Sequence, residues 1–348
     1  MKKSAVVLTL GLLALIIAAG VLAAQQSGSA PLPLWAYGYA TDPGSAPAPA
    51  PGGPRGGGGG APPAPDPTPQ KLAGSTSTFT LAQIRDGFGP ADWFPGDHPP
   101  MPDIVAHGKR ESQVNACSLC HYPNGKGRAE NAPVSGLPYA YFVQQMMDFK
   151  NDLRKSADPR KANTARMAAF AKAMTDDEIK ASATYFSSMK WTPWIRVVES
   201  DTAPKTRIAG GLFMALEGEQ AGKEPLGQRI IEVPEKTMET DQLRNPCSGF
   251  VAYVSFGSIK KGEVLVKTTQ CVVCHGVDLE GFGSVPGIAG RSPSYMVRQM
   301  FDIQQGARKG LWADLMKPVV AKLTADDMLN IAAYVASRTP SGDSRRAQ

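Results

Sequence analysis

Cys117-Ser118-Leu119-Cys120-His121 returns 154 positions later as Cys271-Val272-Val273-Cys274-His275, and this pair of pentapeptides decides the architecture. The same offset sets Gly136 on Gly290, Tyr141 on Tyr295, Gln145 on Gln299, Met146 on Met300 and Asp148 on Asp302. Further along, the offset falls to 149 and pairs Met167 with Met316, Thr175 with Thr324, Asp177 with Asp326 and Tyr185 with Tyr334. The first copy thus carries five extra residues in the polar stretch around Arg154 to Arg166. Self-similarity at constant offset, broken by one indel, marks a duplicated unit. A chain of 348 residues has room for two such domains and the segments that join them.

The pentapeptide carries chemistry. Two thiols three positions apart can add to the two vinyl groups of one porphyrin, and the adjacent histidine is then held beneath the ring as an axial iron ligand. Cys117, Cys120, Cys271 and Cys274 are therefore the expected attachment points of two haem c groups, with His121 and His275 as iron ligands. A zinc ribbon would need further Cys or His at similar spacing, and only Cys247, His98 and His107 remain. Methionine is the leading sixth ligand, because a soft thioether opposite histidine raises the potential of haem iron. Copy one offers Met167 and Met174, with Met146, Met147 and Met189 behind them. The repeat chooses: Met174 aligns with Leu323, whereas Met167 aligns with Met316. Met167 and Met316 are the expected ligands, although a methionine taken alone is more often core packing. His98 lies in a Pro-rich loop and His107 just ahead of the first motif, and both read as surface or hydrogen-bonding histidines. Cys247 reads as a free, partly buried thiol or an intermolecular one.

Each copy ends in a helix. Thr175-Asp176-Asp177-Glu178 and Thr324-Ala325-Asp326-Asp327 offer an N-cap hydroxyl followed by acidic first turns. Ile179, Ala183 and Phe186, and likewise Met328, Ala332 and Val335, then lay one apolar stripe along each helix. Tyr141 to Phe149 and Tyr295 to Ile303 predict a second helix per copy. Leu81, Ile84 and Phe88 predict a short one ahead of copy one. Between the copies, Ile208 to Leu216, Arg229 to Val233 and Phe250 to Phe256 are β-branched and aromatic runs that predict a few short strands. The expected domains are 77–192 and 258–340, with the insertion at 193–257.

The N-terminus has its own texture. Lys2 and Lys3 precede an apolar run from Ala5 to Ala24, which reads as a signal peptide over 1–24 or an N-terminal anchor of the same span. Residues 25–76 are a Pro/Gly-rich linker with an unbroken glycine run at 56–60, expected as a disordered arm or tether. The rest of the chain is expected outside the cytoplasm, in the periplasm. A formal charge of +6 with scattered basic residues excludes a nucleic-acid binder.

On the haem motifs, Gly136-Leu137, Tyr141 to Asp148, Met167 and Thr175 to Tyr185, with their counterparts, the sequence resembles class I c-type cytochromes of the tandem dihaem cytochrome c4 type. The resemblance covers about half the chain, near 101–190 and 258–338. It implies a mainly α fold: two cytochrome c-like helical haem domains in tandem, joined by the insertion with its short β segments and preceded by the arm. It also implies a dihaem electron carrier in a respiratory chain, exchanging electrons with a quinol-oxidising complex, a terminal oxidase or a dehydrogenase. Two rivals share the motifs: a dihaem peroxidase, with His98 or His107 as an alternative ligand, and the cytochrome subunit of a periplasmic dehydrogenase. Lys150, Arg154, Lys155, Arg308 and Lys309 precede the methionines and are candidates for steering an acidic partner, a solvated face being the default reading.

Overall fold

The computed structural model describes residues 32–39 and 66–340. The leader, the glycine run and the last eight residues lie outside the described residues. Ahead of copy one, β1 (Gln70–Lys71) and β2 (Thr78–Phe79) pair antiparallel, and α1 (Leu81–Ile84) is a single turn. Thr80 and Gln83 close that turn with a reciprocal capping box. Copy one is then built from α2 (Asp103–Ala106), α3 (Cys117–His121), α4 (Tyr139–Lys150), α5 (Ala162–Ala173) and α6 (Asp176–Ser187). Helix α4 packs against both α5 and α6, and their apolar stripes close a core of Phe142, Met146, Phe149, Ile179, Ala183 and Phe186.

The central segment supplies β3 (Ile195–Glu199), β4 (Thr202–Pro204), β5 (Thr206–Ala209), β6 (Leu212–Ala215), β7 (Lys223–Pro225), β8 (Ile231–Pro234), α7 (Thr237–Asp241) and β9 (Phe250–Val254). Three of the strands form one sheet in the order β3-β9-β8, in which β3 runs parallel to β9 and β8 antiparallel to it. The apolar runs at 208–216 and 250–256 each contain a strand, and that at 229–233 overlaps β8. The sequence reading missed β3, whose partner lies about fifty residues further on.

Copy two repeats the plan with α8 (Ser258–Thr268), α9 (Cys271–His275), the hairpin β10 (Gly281–Phe282) and β11 (Val285–Pro286), α10 (Pro293–Gln304), α11 (Leu311–Val320) and α12 (Ala325–Ser337). Both final helices carry the expected cap: the hydroxyls of Thr175 and Thr324 accept from the N3 amides, and Glu178 and Asp327 reach back. Helix α12 packs on α8 at very short range. A Cβ on Gly262 would stand 1.9 Å from the Asn330 carbonyl oxygen, so only glycine permits this approach. Copy one has the short α2 where copy two has the eleven-residue α8.

A two-fold repeat of contacts joins the copies. The Lys155 amide donates to the Ala307 carbonyl at 2.9 Å and the Lys309 amide to the Leu153 carbonyl at 2.7 Å, with Arg154 and Arg308 paired between them. Arg154 donates to Gln145 (3.0 Å), Tyr295 (3.0 Å) and Gln299 (3.1 Å), while Arg308 donates to Gln299 (2.8 Å), Tyr141 (2.8 Å) and Gln145 (2.7 Å). Every residue here sits opposite the counterpart of its own partner, as in the self-complementary interface of a symmetric dimer. The offset of 154 therefore persists through Lys155, which places the five extra residues between Lys155 and Met167. Arg154 and Arg308 are buried in this seam and do not steer partners from the surface.

One part of the arm is ordered. Leu34–Tyr37 form a 3-10 turn with Trp35, Ala36 and Tyr37 buried. Tyr37 donates to Asp302 Oδ1 at 2.6 Å, Arg298 donates to the Ala36 carbonyl at 2.5 Å, and Lys161 donates to the Tyr37 carbonyl at 3.3 Å. These contacts correct the expectation of a disordered linker across all of 25–76. Two aromatic side chains give this short segment enough apolar surface to bury, Arg298 and Lys161 fix its backbone, and Asp302 holds the Tyr37 hydroxyl.

Candidate functional site

Each motif occupies a helix of a little over one turn, α3 or α9, after which the chain turns sharply. Gly276 makes that turn with φ +81°, at little cost for glycine. Its counterpart Tyr122 adopts φ +63° with a side chain attached, a strained conformation held by burial and by Arg244 packed over the ring, 5.6 Å from its centroid.

The histidines are set identically in the two copies. His121 Nδ1 lies 2.8 Å from the Ala132 carbonyl oxygen, and His275 Nδ1 lies 2.9 Å from that of Pro286. Ala132 and Pro286 are again 154 positions apart. A carbonyl can only accept, so the proton sits on Nδ1 and the Nε2 lone pair is left for another ligand. Both rings are buried, and burial lowers their pKa, which favours the neutral form a metal needs.

All eight residues expected at the site line one cavity of about 320 Å³: Cys117, Cys120, His121 and Met167 from copy one, and Cys271, Cys274, His275 and Met316 from copy two. Met167 stands on α5 and Met316 on α11. Met174 also lines the cavity, buried in the core of copy one where α5 ends. His98 and His107 are not part of the wall. His98 instead bonds to Asp92, Pro99 and Tyr185. Cys247 is exposed rather than partly buried, and no two cysteines are joined in a disulfide. Burial pushes the Cys117 thiol up to about 12 and raises Cys120 and Cys271 as well, the reverse of the low pKa that a redox dithiol requires.

The sequence reading missed one component of the wall, a set of buried arginines. Arg154, Arg291, Arg298 and Arg308 all line the cavity, and among the described residues none forms an ion pair. Arg291 reaches from copy two to the Pro133 and Ser135 carbonyls of copy one, both at 3.1 Å. Arg308 Nε is buried with no partner at all. The signal was available: Arg154 and Arg308 stand at the same offset of 154 as the motifs. A largely apolar cavity with four buried arginines on its wall, none in a direct ion pair, together with paired cysteines and two imidazoles whose Nδ1 atoms are tied to carbonyls, fits haem, an apolar macrocycle that carries carboxylates and binds iron at its centre.

A family model for cytochrome c matches residues 105–190 and, separately, 259–339. Cytochrome c-554(548) of Halomonas halodenitrificans is 36% identical over 83 residues, which is 24% of this chain and 98% of that protein. The chain belongs to the cytochrome c family. Cytochrome c4 of Azotobacter vinelandii is 26% identical over 230 residues, covering 65% of this chain and 85% of its own length. The thiosulfate dehydrogenase electron acceptor of Stutzerimonas stutzeri is 23% identical over 237 residues, with 67% and 84% covered. This cytochrome is thus a dihaem electron carrier of cytochrome c4-like class, with two covalently bound haem c groups and their iron as cofactors.

Proposed function

We propose that this cytochrome carries single electrons between redox proteins in the periplasm, accepting them from a dehydrogenase, with both irons closed to substrate by histidine and methionine. The observation that carries the reading is the duplicated wall. Each copy brings a histidine with its Nδ1 tied to a carbonyl, and a methionine at the matching repeat position, to one cavity. In this arrangement Cys117 and Cys120 hold one haem and Cys271 and Cys274 the other. His121 and Met167 ligate the first iron, and His275 and Met316 the second. Haem iron supplies a one-electron couple, which a soft thioether ligand shifts upward. The chain's own residues do the rest. The carbonyls of Ala132 and Pro286 orient the imidazoles, and the apolar wall excludes water. The buried arginines offset the carboxylates and raise the potential by favouring the electron-rich state.

Relatives that are electron acceptors of thiosulfate dehydrogenase support a dehydrogenase as the donor. Among the described residues no helix is long and apolar enough to cross a membrane, so tethering would fall to the leader. Enzymatic peroxide chemistry would need a displaceable ligand and an acid-base group at one iron. His98 and His107, the candidates for an alternative ligand, lie off the cavity wall.

Met167→Ala and Met316→Ala provide the test. Each should turn one haem high-spin and lower one of the two midpoint potentials, leaving the other haem in place. Two unchanged low-spin haems in either variant would remove that methionine from the ligand set.

A further inference from the structure

The duplication lets one copy be read against the other, and the two differ at the face around the motif helix. In copy one the chain covers this face itself. Arg244, from the central insertion, donates to the Leu119 carbonyl and packs over Tyr122, and Asn124 donates to the Pro246 carbonyl at 2.7 Å. Pro123 is buried, its carbonyl accepting from Tyr185 at 2.7 Å. In copy two no insertion returns to the equivalent face. Val273, Val277 and Phe282, the counterparts of Leu119, Pro123 and Arg128, are 74%, 85% and 83% exposed. The hairpin that carries Phe282 packs on α9, so the three belong to one surface. None of the three lines the cavity.

The exposed charge of this surface differs between copies, because in copy one Arg128 is paired with Glu130 at 2.5 Å and Lys126 packs over the Trp194 ring. Residues 123–128 read Pro-Asn-Gly-Lys-Gly-Arg, with two basic side chains and no acidic one; residues 277–282 read Val-Asp-Leu-Glu-Gly-Phe, with two acidic and no basic. Asp278 and Glu280 are both exposed beside the apolar side chains. Large apolar side chains gathered at the surface with a charged edge are the usual mark of a contact site. Cys274, which would hold the second haem, is exposed on the same helix, so an edge of that haem would lie beside this face.

We propose that the Val273–Val277–Phe282 face is the port through which the cytochrome exchanges electrons, and that it receives a redox protein whose contact patch is apolar with an arginine- or lysine-bearing rim. The first haem is closed at this face by Arg244 and its loop and communicates through the second. This assignment rests on the electron-carrier reading. It also opposes the overall charge of +6, which would by itself favour an acidic partner.

The test uses the full-length holoprotein and two electrodes coated with mixed monolayers, one of methyl and ammonium termini and one of methyl and carboxylate termini. Interfacial electron-transfer rates are read by voltammetry. The expected result is faster exchange at the ammonium surface by roughly tenfold. Phe282→Ser should slow it, and Asp278→Lys with Glu280→Lys should reverse the preference while the haem spectra stay unchanged. Faster exchange at the carboxylate surface in the wild type, or no response to the substitutions, would overturn the port. So would a dimer in sedimentation that Phe282→Ser dissolves, because the face would then be covered by a second copy. Failure to exchange at either surface or with dissolved chemical reductants would instead refute the carrier reading itself.

Discussion

Replacing Arg308 by methionine removes three hydrogen bonds from the seam between the haem domains, to Gln299, Tyr141 and Gln145. Bonds from a charged donor contribute about 1.5–3 kcal/mol each, and methionine recovers part of the loss by sparing the desolvation of a buried guanidinium. What is left behind decides the net cost. Gln145 and Gln299 keep a donor in Arg154, so only the Tyr141 hydroxyl loses its partner. The single variant should therefore cost about 2–4 kcal/mol. Arg154→Met leaves the mirror situation, with Tyr295 alone deprived. The double variant deprives both glutamines as well as both tyrosines, and it gains no further relief of repulsion between the two cations. Its cost should exceed the sum of the singles by about 1–3 kcal/mol. Urea unfolding of the holoprotein, followed by far-UV circular dichroism and by haem absorbance, measures all three. Loss of the seam should also separate one cooperative transition into two as the domains uncouple. Costs additive within about 0.5 kcal/mol would show that the two arginines do not act through shared partners, and the argument would fail.

Gly262→Val drives a branched side chain into the Asn330 carbonyl and should destabilise copy two by about 3 kcal/mol or more, seen as a lower thermal midpoint with the copy-one haem spectrum intact. His98 supplies a pH dependence. Its bond to Asp92 raises its pKa above the usual value of about 6.5, so the contact stabilises fully below that value and is lost as pH rises through the raised one. Wild-type stability should fall through this window, and His98→Asn should flatten the profile, with a difference of about 1 kcal/mol or less on the acid side once solvent screening of this part-buried pair is counted. Parallel profiles would place the proton elsewhere.

Much of this architecture is legible in the chain because duplication writes each functional residue twice. The Cys-x-x-Cys-His motifs, the methionine pair at offset 149 and the threonine caps are local signals; the first two line one cavity and the threonines cap their helices. Residues that act across the seam were harder to read. Arg154 and Arg308 look like surface cations, since nothing local shows that each will meet the other copy's tyrosine and glutamine. Their matched offset was the available sign. Strand β3 escaped because a parallel pairing with β9 leaves no hairpin signature. The buried turn at Trp35 and Tyr37 was obscured by the composition around it, although three aromatics (Trp35, Tyr37 and Tyr39) in a Pro/Gly/Ala arm are themselves a reason to expect an anchor point. The face around Val273 became visible only when its counterpart was seen covered.

The central claim is two closed haems with the same ligand pair, and the optical and EPR spectra of the oxidised holoprotein, with a pyridine haemochrome count, address it most directly. Two c-type haems per chain, both low-spin and showing the sulfur-to-iron charge-transfer band of histidine–methionine ligation, are the expected result. A single haem, or a high-spin component that binds added ligands, would contradict it.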